Sequence, residues 1–287
     1  MNILILFLPA ICWGIMPLIV GKIKGGNVYN QIIGTVTGAL VLGLGTLAVA
    51  HPPMSWETFW VAFMAGACWV IGQAGQFISY AKIGVSETMP ISTGAQLIGV
   101  SLIGVLIFGE WASTSAKIWG FLGIACLIIG VLATSKTDEG TSEGSKSNQT
   151  ATLTILLLTS LGYIASSTIP KSIQANGYSI IVGQTVGMFV AGLIYVLVTK
   201  QGSALKEAIS YKFALPGMAW AFGALFYNLS MKANGVNMAF VISQLSVVIS
   251  TLGGMLFLHE RKSKQGMIYT AIGLVLIVLG AVLTTIF

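Results

Sequence analysis

Residues 3–21 read ILILFLPAICWGIMPLIVG and contain no charged side chain. A helix that crosses the hydrocarbon core of a bilayer needs about 20 mainly apolar residues. Only Met1 and Asn2 precede the run, so it has no basic leader, and no small-residue cleavage site follows it. We therefore interpret this stretch as a first membrane helix rather than as a secretory signal.

The pattern of this first stretch recurs along the whole chain. The 287 residues are 55% hydrophobic and 8% charged, with a mean hydropathy of +0.90, whereas a soluble domain carries about 25% charged residues. This composition excludes a soluble enzyme, a disordered chain and a nucleic-acid binder. The sequence predicts an all-α integral membrane protein with ten transmembrane helices, over residues 3–21, 31–50, 58–81, 87–108, 116–134, 152–170, 178–199, 212–231, 237–257 and 266–286.

An internal duplication is visible in the charged residues and glycines. A shift of 149 places Lys22 on Lys171, and a shift of 150 places Glu110 on Glu260. Five helices in each half is an odd number, so the second half is inverted relative to the first, as in many secondary transporters with a central site. The predicted organisation is a first five-helix repeat over 1–134, a flexible linker over 135–151 and a second, inverted repeat over 152–287.

Basic residues are distributed unevenly between the two sets of loops. One set holds eleven of them, Lys22, Lys24, Lys82, Lys136, Lys146, Lys200, Lys206, Lys212, Arg261, Lys262 and Lys264, and the other holds three, Lys117, Lys171 and Lys232. Cytoplasmic loops of membrane proteins are enriched in Lys and Arg. We therefore expect a multi-pass plasma-membrane protein with both termini outside and the 135–151 linker in the cytoplasm.

Polar side chains lie at similar depth in several predicted spans. An unpaired amide in hydrocarbon costs several kcal/mol, roughly, so these groups must face protein or a wet cavity. They either join helices by hydrogen bonds or form a site for a neutral polar substrate. The candidate substrate-binding residues are Trp13, Trp69, Gln73, Gln76, Thr93, Gln96, Gln184, Asn228 and Gln244, and Ser92, Tyr163, Ser243 and Ser246 lie at comparable depth.

Tryptophans at mid-depth suggest the kind of substrate. Membrane tryptophans usually lie at the interfaces, but Trp13, Trp69 and Trp220 fall near the middle of their spans. Aromatic faces beside amides suit a sugar, which presents C–H faces and a belt of hydroxyl groups. The alternative is that these rings pack in an apolar core.

Acidic residues are absent from the middle of every predicted span. Cation exporters and many proton pumps need a buried carboxylate, so a cationic substrate is disfavoured, and a neutral solute fits best. Candidate coupling or gating residues lie at helix ends: Glu87, Glu110, His259 and Glu260. The acids could accept protons, form gates or cap helices, and His259 is expected to pair with Glu260.

Motifs for enzymatic chemistry are missing from the sequence. It contains no P-loop, no H-E-x-x-H and no G-x-S-x-G, and therefore no ATP site. Cys12, Cys68 and Cys126 lie in separate apolar runs without metal-ligand spacing. We expect a transporter without metal or cofactor, with sugar, protons and membrane lipid as partners. A channel or a membrane scaffold is the alternative from a different class.

Residues 84–111 read GVSETMPISTGAQLIGVSLIGVLIFGEW. Together with Cys12-Trp13-Gly14 and Ser243-Gln244-Leu245, this stretch resembles the bacterial glucose/ribose uptake family of the drug/metabolite transporter superfamily, most of all the glucose uptake proteins of Gram-positive bacteria. The resemblance implies a proton-driven secondary transporter that imports glucose, with ribose uptake, or export or facilitated diffusion of a metabolite, as alternatives. The family has Gly-Glu where this chain has His259-Glu260.

Alternating access is the mechanism that this organisation predicts. Short polar segments, 82–86 and 232–236, separate the third span from the fourth and the eighth from the ninth. We expect both segments to act as hinges about which the helix pairs rock.

Overall fold

The computed structural model describes residues 3–109, 111–134, 143–234 and 236–285, and its regular structure in these ranges is entirely helical. It comprises α1 (Ile3–Lys22), α2 (Val28–Ala50), α3 (Trp56–Ile83), α4 (Val85–Leu106), α5 (Thr114–Thr134), α6 (Glu143–Thr168), α7 (Gly177–Val198), α8 (Ala208–Lys212), α9 (Ala214–Asn234), α10 (Val236–Ser243), α11 (Leu245–Phe257) and α12 (Lys264–Leu283). Two short 3₁₀ helices, Ile169–Ser172 and Gly202–Leu205, precede α7 and α8.

Polar residues set the start of several long helices. Asn27 accepts from the backbone amides of Tyr29 and Asn30, and the Asn30 side chain accepts in return from the Asn27 amide. This capping box begins α2 three residues before the predicted span. Ser55 and Ser263 cap α3 and α12 in the usual way, each accepting from an amide three residues later.

Nine helical segments in the described ranges are long and apolar enough to cross a membrane. The segment that falls short is α9, whose 21 residues include Trp220, Tyr227 and Asn228. These side chains lower its hydropathy, although its length of about 31 Å matches a bilayer core. The all-helical membrane fold is thus confirmed. The span predicted over 212–231, which corresponds to α9, remains a prediction.

The structure differs from the predicted hinges and linker. Gly84 alone separates α3 from α4, so the break in the segment 82–86 is confined to this glycine, and the hinge motion expected there stays a prediction. In the segment 232–236, α9 continues to Asn234 and α10 begins at Val236, while residue 235 lies outside the described residues. Of the linker predicted over 135–151, residues 135–142 lie outside the described residues, and residues 143–151 belong to α6, which begins at Glu143. This stretch contains no proline, and a helix already nucleated in a span extends at little cost.

The ninth predicted span is not one continuous helix. Gln244 separates α10 from α11, and its backbone amide lies near the carbonyls of both Phe240 and Val241. The amide of Val247 in turn donates to the Gln244 carbonyl, three residues back. The helix therefore tightens locally towards 3₁₀ geometry at this point, which often marks a functional hinge.

Glycines allow helix backbones to approach each other closely. In α2, a side chain at Gly38 would meet the Ala214 carbonyl of α9, and in α7 a side chain at Gly187 would meet the Phe63 carbonyl of α3. These glycines belong to the two G-x-x-x-G sequences, 34–38 and 183–187, and so confirm the close packing expected of them. α5 and α12 also cross at glycines, since a Cβ on Gly130 would lie 2.8 Å from the Gly273 carbonyl.

The helices alternate in direction, so the molecule has two ends. The segments 22–28, 83–85, 198–214 and 257–264 lie at the end that we call the lysine-rich end, where Asn30 Nδ2 donates to Glu207 Oε2 at 2.7 Å. At the opposite end, Ser179 Oγ donates to the Pro53 carbonyl at 2.7 Å. The apolar core includes Phe77 and extends to Phe213 at the lysine-rich end, and both side chains are fully buried.

Candidate functional site

The middle of α3 presents three predicted site residues on one face. Trp69, Gln73 and Gln76 are spaced i, i+4 and i+7, which places them above one another along a helix. Their exposed fractions are 4%, 1% and 6%. Because two buried amides must find partners or a ligand, this face identifies the polar centre of the fold.

Tyr163 of α6 supplies the partner for both amides. Its hydroxyl oxygen lies 2.8 Å from Gln73 Oε1 and 2.9 Å from Gln76 Oε1. Gly72 makes room for the ring, because a Cβ there would lie 2.5 Å from Tyr163 Cγ. The sequence places these residues on separate helices, and the packing of α3 against α6 brings them together.

Gln76 is held by two further side chains. Its Nε2 donates to Ser92 Oγ of α4 at 2.8 Å, and its Oε1 also accepts from the Tyr80 hydroxyl at 3.0 Å. Gln96 Nε2 lies 3.1 Å from the same Ser92 Oγ, one turn away on α4. The hydrogen bonds therefore run continuously from α6 through α3 to α4.

Aromatic rings enclose the other side of these amides. The ring centroids of Trp69 and Trp220 are 5.0 Å apart, and those of Trp69 and Tyr163 are 6.0 Å apart. Trp13 Nε1 donates to the Trp220 carbonyl at 3.1 Å, and the Trp13 ring lies 5.6 Å from that of Tyr227. We call this group the amide–tryptophan cluster; its members are Trp13, Trp69, Gln73, Gln76, Ser92, Gln96, Tyr163 and Trp220.

One fully buried polar atom of the amide–tryptophan cluster has no hydrogen-bond partner among the described residues. Gln73 Nε2 is buried and makes no hydrogen bond within the described part of the chain. An unsatisfied buried donor costs about 1–3 kcal/mol, and such a group in a native structure calls for an explanation. Because the cluster combines neutral donors and acceptors with indole faces and no member carries a formal charge, it is chemically suited to an uncharged polyol.

The remaining predicted substrate residues lie outside this cluster. Gln184 Nε2 donates to Ser166 Oγ at 3.2 Å, and Asn228 lies against Gly177, so both are nearer to the end opposite the lysine-rich end. Gln244 bonds within its own helix turn, to Ser243 Oγ at 3.2 Å and weakly to the Phe240 carbonyl. Thr93 follows Ser92 and is half-buried.

Two of the acids that we expected to act in coupling, Glu87 and Glu260, lie at the lysine-rich end. Glu260 accepts from the backbone amides of Val85 and Ser86 at 2.6 and 2.7 Å, at the first turn of α4. Glu87, in the same turn, accepts from Gln149 Nε2 at 2.6 Å. Of the expected roles, helix capping is thus the one that the geometry of Glu260 displays.

The expected pairing of His259 with Glu260 is wrong, because the carboxylate is directed at α4 and His259 is exposed, with a φ of 57°. Glu110 lies outside the described residues. In the described ranges no three His, Cys, Asp or Glu side chains gather to hold a metal, and Cys12, Cys68 and Cys126 are free thiols.

Tyr163 is the functional candidate whose importance sequence reasoning underestimated. It was one polar residue among many at mid-depth, and nothing in its own helix links it to Gln73, 90 residues earlier. The sequence feature that could have pointed to Tyr163 is Gly72, which adjoins Gln73 and leaves space for an aromatic ring from another helix. Ser92, Tyr80 and Trp220 likewise enter the site only through packing between helices.

An all-helical membrane fold with a buried, uncharged polar cluster at its centre is typical of the class of membrane transporters. Within that class, the chain belongs to the family described as "Sugar transport protein", whose family model matches residues 4–287. Membership of a transport family also confirms that the protein is a transporter rather than an enzyme.

Relatives that span the whole chain carry matching names. A protein of Lactobacillus johnsonii, provisionally named as a sugar uptake protein, is 59% identical over 100% of both chains. The Latilactobacillus sakei protein provisionally named as the ribose uptake protein RbsU is 41% identical over 99% of this chain and 97% of its own. The "Glucose uptake protein GlcU" of Bacillus subtilis is 39% identical over 98% of this chain and 97% of its own.

A solved crystal structure has the same fold. It superimposes with a TM-score of 0.61 over 99% of this chain and 96% of its own, at 15% sequence identity. This similarity concerns the fold alone.

Proposed function

We propose that this protein is a secondary transporter that imports glucose across the plasma membrane by alternating access, coupled to protons. The observation that carries the proposal is the unpartnered, buried Nε2 of Gln73 beside the Trp69 ring, among the residues that the structure describes. An amide donor next to an indole face is a recognition pair for a sugar, which offers hydroxyl acceptors and an apolar face. Membership of the sugar transport family and the relative named GlcU support the substrate class.

The amide–tryptophan cluster is the proposed sugar site. Trp69 and Trp220 would cover the sugar ring, and Gln73, Gln76 and Gln96 would bind its hydroxyl groups. Gln73 is 1% exposed and Ser92 is fully buried, whereas Trp13, Gln96 and Trp220 are half-buried. We propose that this arrangement is a closed state of the transport cycle. Gln184, Asn228 and Gln244 would then contact the sugar only along its path, at stages when the helices have moved.

An inverted repeat would supply the motion. Helix contacts support it, because the packing of α3 on α7 through Gly187 has a counterpart in that of α2 on α9 through Gly38. Gly123 and Gly130 of α5 meet Gly280 and Gly273 of α12, as a two-fold relation between the halves requires. We propose that residues 1–134 and the part of the chain from α6 onward rock against each other.

Glu260 and Glu87 are the proposed coupling residues at the lysine-rich end. Glu260 bonds α4 of the first half from the loop that follows α11 in the second. Protonation of its carboxylate would remove the negative charge and weaken both bonds, which would release this end. The two acids interact electrostatically with each other; Glu87 also interacts with Lys262, and Glu260 with Tyr80. The basic residues of this end favour placing it in the cytoplasm, with both termini outside.

Ribose uptake is the second candidate, favoured by the relative named RbsU, which is 41% identical to this chain. The proposal is tested with purified protein in proteoliposomes, by following labelled glucose with and without an inward proton gradient. Accumulation driven by the gradient and blocked by unlabelled glucose, but not by ribose, is the expected result. Blockage by ribose instead would make ribose the substrate, equilibration without accumulation would identify a facilitator, and no entry of either sugar would overturn the proposal.

A further inference from the structure

Tyr163 has one proton and two acceptors. Its hydroxyl lies within hydrogen-bond distance of Gln73 Oε1 and Gln76 Oε1, at 2.8 and 2.9 Å. A phenol donates a single hydrogen, so the two amides compete for it. Whichever amide receives it has its carbonyl fixed towards Tyr163 and its NH₂ group fixed in the opposite direction.

The two amides differ in their other partners. Gln76 donates to Ser92 Oγ at 2.8 Å and accepts from the Tyr80 hydroxyl at 3.0 Å. The other acceptor near that hydroxyl is the Met89 sulfur at 3.1 Å, which is the weaker of the two, so both polar atoms of Gln76 are held without Tyr163. Gln73 has no such support: within the described ranges Tyr163 is its only side-chain partner, and its Nε2 has none. The Tyr163 proton therefore has its greater effect on Gln73.

We propose that Tyr163 is a positioning residue that fixes the Gln73 amide, so that Gln73 Nε2 is presented to the sugar as a hydrogen-bond donor. This inference rests on the proposed function, because it assigns the ligand of the unpaired Nε2 to an oxygen of the transported sugar. Without the Tyr163 hydroxyl the Gln73 amide is free to turn over and to present its carbonyl instead. When it donates its proton to Gln73, Tyr163 determines which of the two polar atoms of the amide faces the substrate.

This arrangement also ties sugar recognition to the contact between helices. Tyr163 lies on α6 and Gln73 on α3, and the space for the ring exists because residue 72 is glycine. A displacement of α6 along α3 would remove the hydroxyl from the amide. The donor would then be correctly oriented only when these helices are packed as they are here, in the closed state.

The test measures half-saturation constants and maximal rates of sugar uptake in proteoliposomes. Tyr163→Phe removes the hydroxyl and keeps the ring; we expect a half-saturation constant about tenfold higher with an unchanged maximal rate. Tyr195→Phe is the matched control, because that ring stacks on Tyr29 at 5.5 Å, away from the cluster. It should behave as wild type.

A double-substitution cycle separates positioning from a structural role. Gln73→Met removes the amide at similar volume, and Tyr163→Phe should have no further effect in that background if it acts through Gln73. Additive losses would show that the tyrosine only supports the fold, and would overturn the inference. The same cycle with Gln76→Met should give a smaller coupling, because Gln76 keeps Tyr80 and Ser92.

A panel of monodeoxy glucoses identifies the oxygen that Gln73 binds. One of them should be discriminated against by wild type and not by Gln73→Met. Equal discrimination by both proteins at every position would overturn the donor role. Absence of uptake of any sugar by wild type would overturn the proposed function together with this role, whereas normal kinetics of Tyr163→Phe would overturn the positioning role alone.

Discussion

The carboxylate of Glu260 accepts a hydrogen bond from the backbone amide of Val85 at 2.6 Å, across 175 residues of chain. It accepts a second from Ser86 at 2.7 Å, so the acid caps the first turn of α4. Gly84 and Gly254 make room for it, since a Cβ on either would lie within 2.8 Å of a carboxylate atom. Substitutions at this contact test its role in gating.

Glu260→Gln should slow transport. The glutamine side chain keeps one acceptor oxygen, but its NH₂ group would face the second backbone N–H, so two donors would meet. The substitution also removes the favourable negative charge at the N-terminus of α4. Hydrogen bonds to a charged group contribute about 1.5–3 kcal/mol. The equilibrium between the state in which this contact is closed and the state in which it is open should therefore shift by about ten- to 100-fold. The maximal rate of uptake at saturating sugar reports this change. Glu57→Gln, an exposed acid at the opposite end, is the control, and an unaltered rate in Glu260→Gln would argue against a gate here.

Gly84→Ala should destabilise the protein by about 1–3 kcal/mol, because few residues other than glycine adopt such a backbone conformation. Gly84 has a φ of 81° and a ψ of 169°, and its added Cβ would lie 2.8 Å from Glu260 Cδ. Thermal unfolding in detergent measures the effect. Gly45→Ala is the matched control, since no described atom lies within 4 Å of its Cβ position. Equal melting temperatures for the two variants would contradict this explanation.

Trp69→Leu should raise the half-saturation constant for sugar by about two- to tenfold, the usual range for losing an aromatic contact. Leucine remains apolar but offers no flat face to the sugar ring. Trp56→Leu serves for comparison, because Trp56 is 78% exposed and lies at the start of α3. Uptake kinetics that respond equally to both substitutions would place the sugar elsewhere.

Orientation in the membrane can be tested by cysteine labelling in intact cells. Ser203 is exposed at the lysine-rich end and Ser115 is exposed at the other. A membrane-impermeant maleimide should label Ser115→Cys from outside and Ser203→Cys only after the cells are opened. Cys12, Cys68 and Cys126 are replaced by alanine beforehand, so that only the introduced thiol reacts. The opposite labelling pattern would show that the topology is inverted. The contact between Glu260 and α4 would then face the outside of the cell.

The hydropathy of successive segments predicts most of this fold, because whether a helix can span a membrane depends on the residues of that helix alone. The close crossings at Gly38 and Gly187 could also be predicted, since the G-x-x-x-G spacing acts locally. The helical extension from Glu143 could not, because polar residues beyond a span carry no hydropathy signal.

The sequence predicts which residue types form the candidate site. It does not predict which side chains form hydrogen bonds with each other. Buried glutamines on α3 indicate a polar centre without any structural knowledge. Their link to Tyr163, and that of Glu260 to Val85, depend on which helices are neighbours. That choice follows from the packing of the whole bundle, so the two contacts that the proposals rest on appear only in the structure.

Equilibrium binding of glucose tests the location of the sugar site most directly, because binding does not depend on proton coupling. The measurement is calorimetry on purified wild-type protein and on the Gln73→Ala variant. We predict that wild type binds glucose and that Gln73→Ala binds it at least about tenfold more weakly. Equal affinities in the two proteins, with both still folded, would contradict the assignment of the amide–tryptophan cluster as the sugar site.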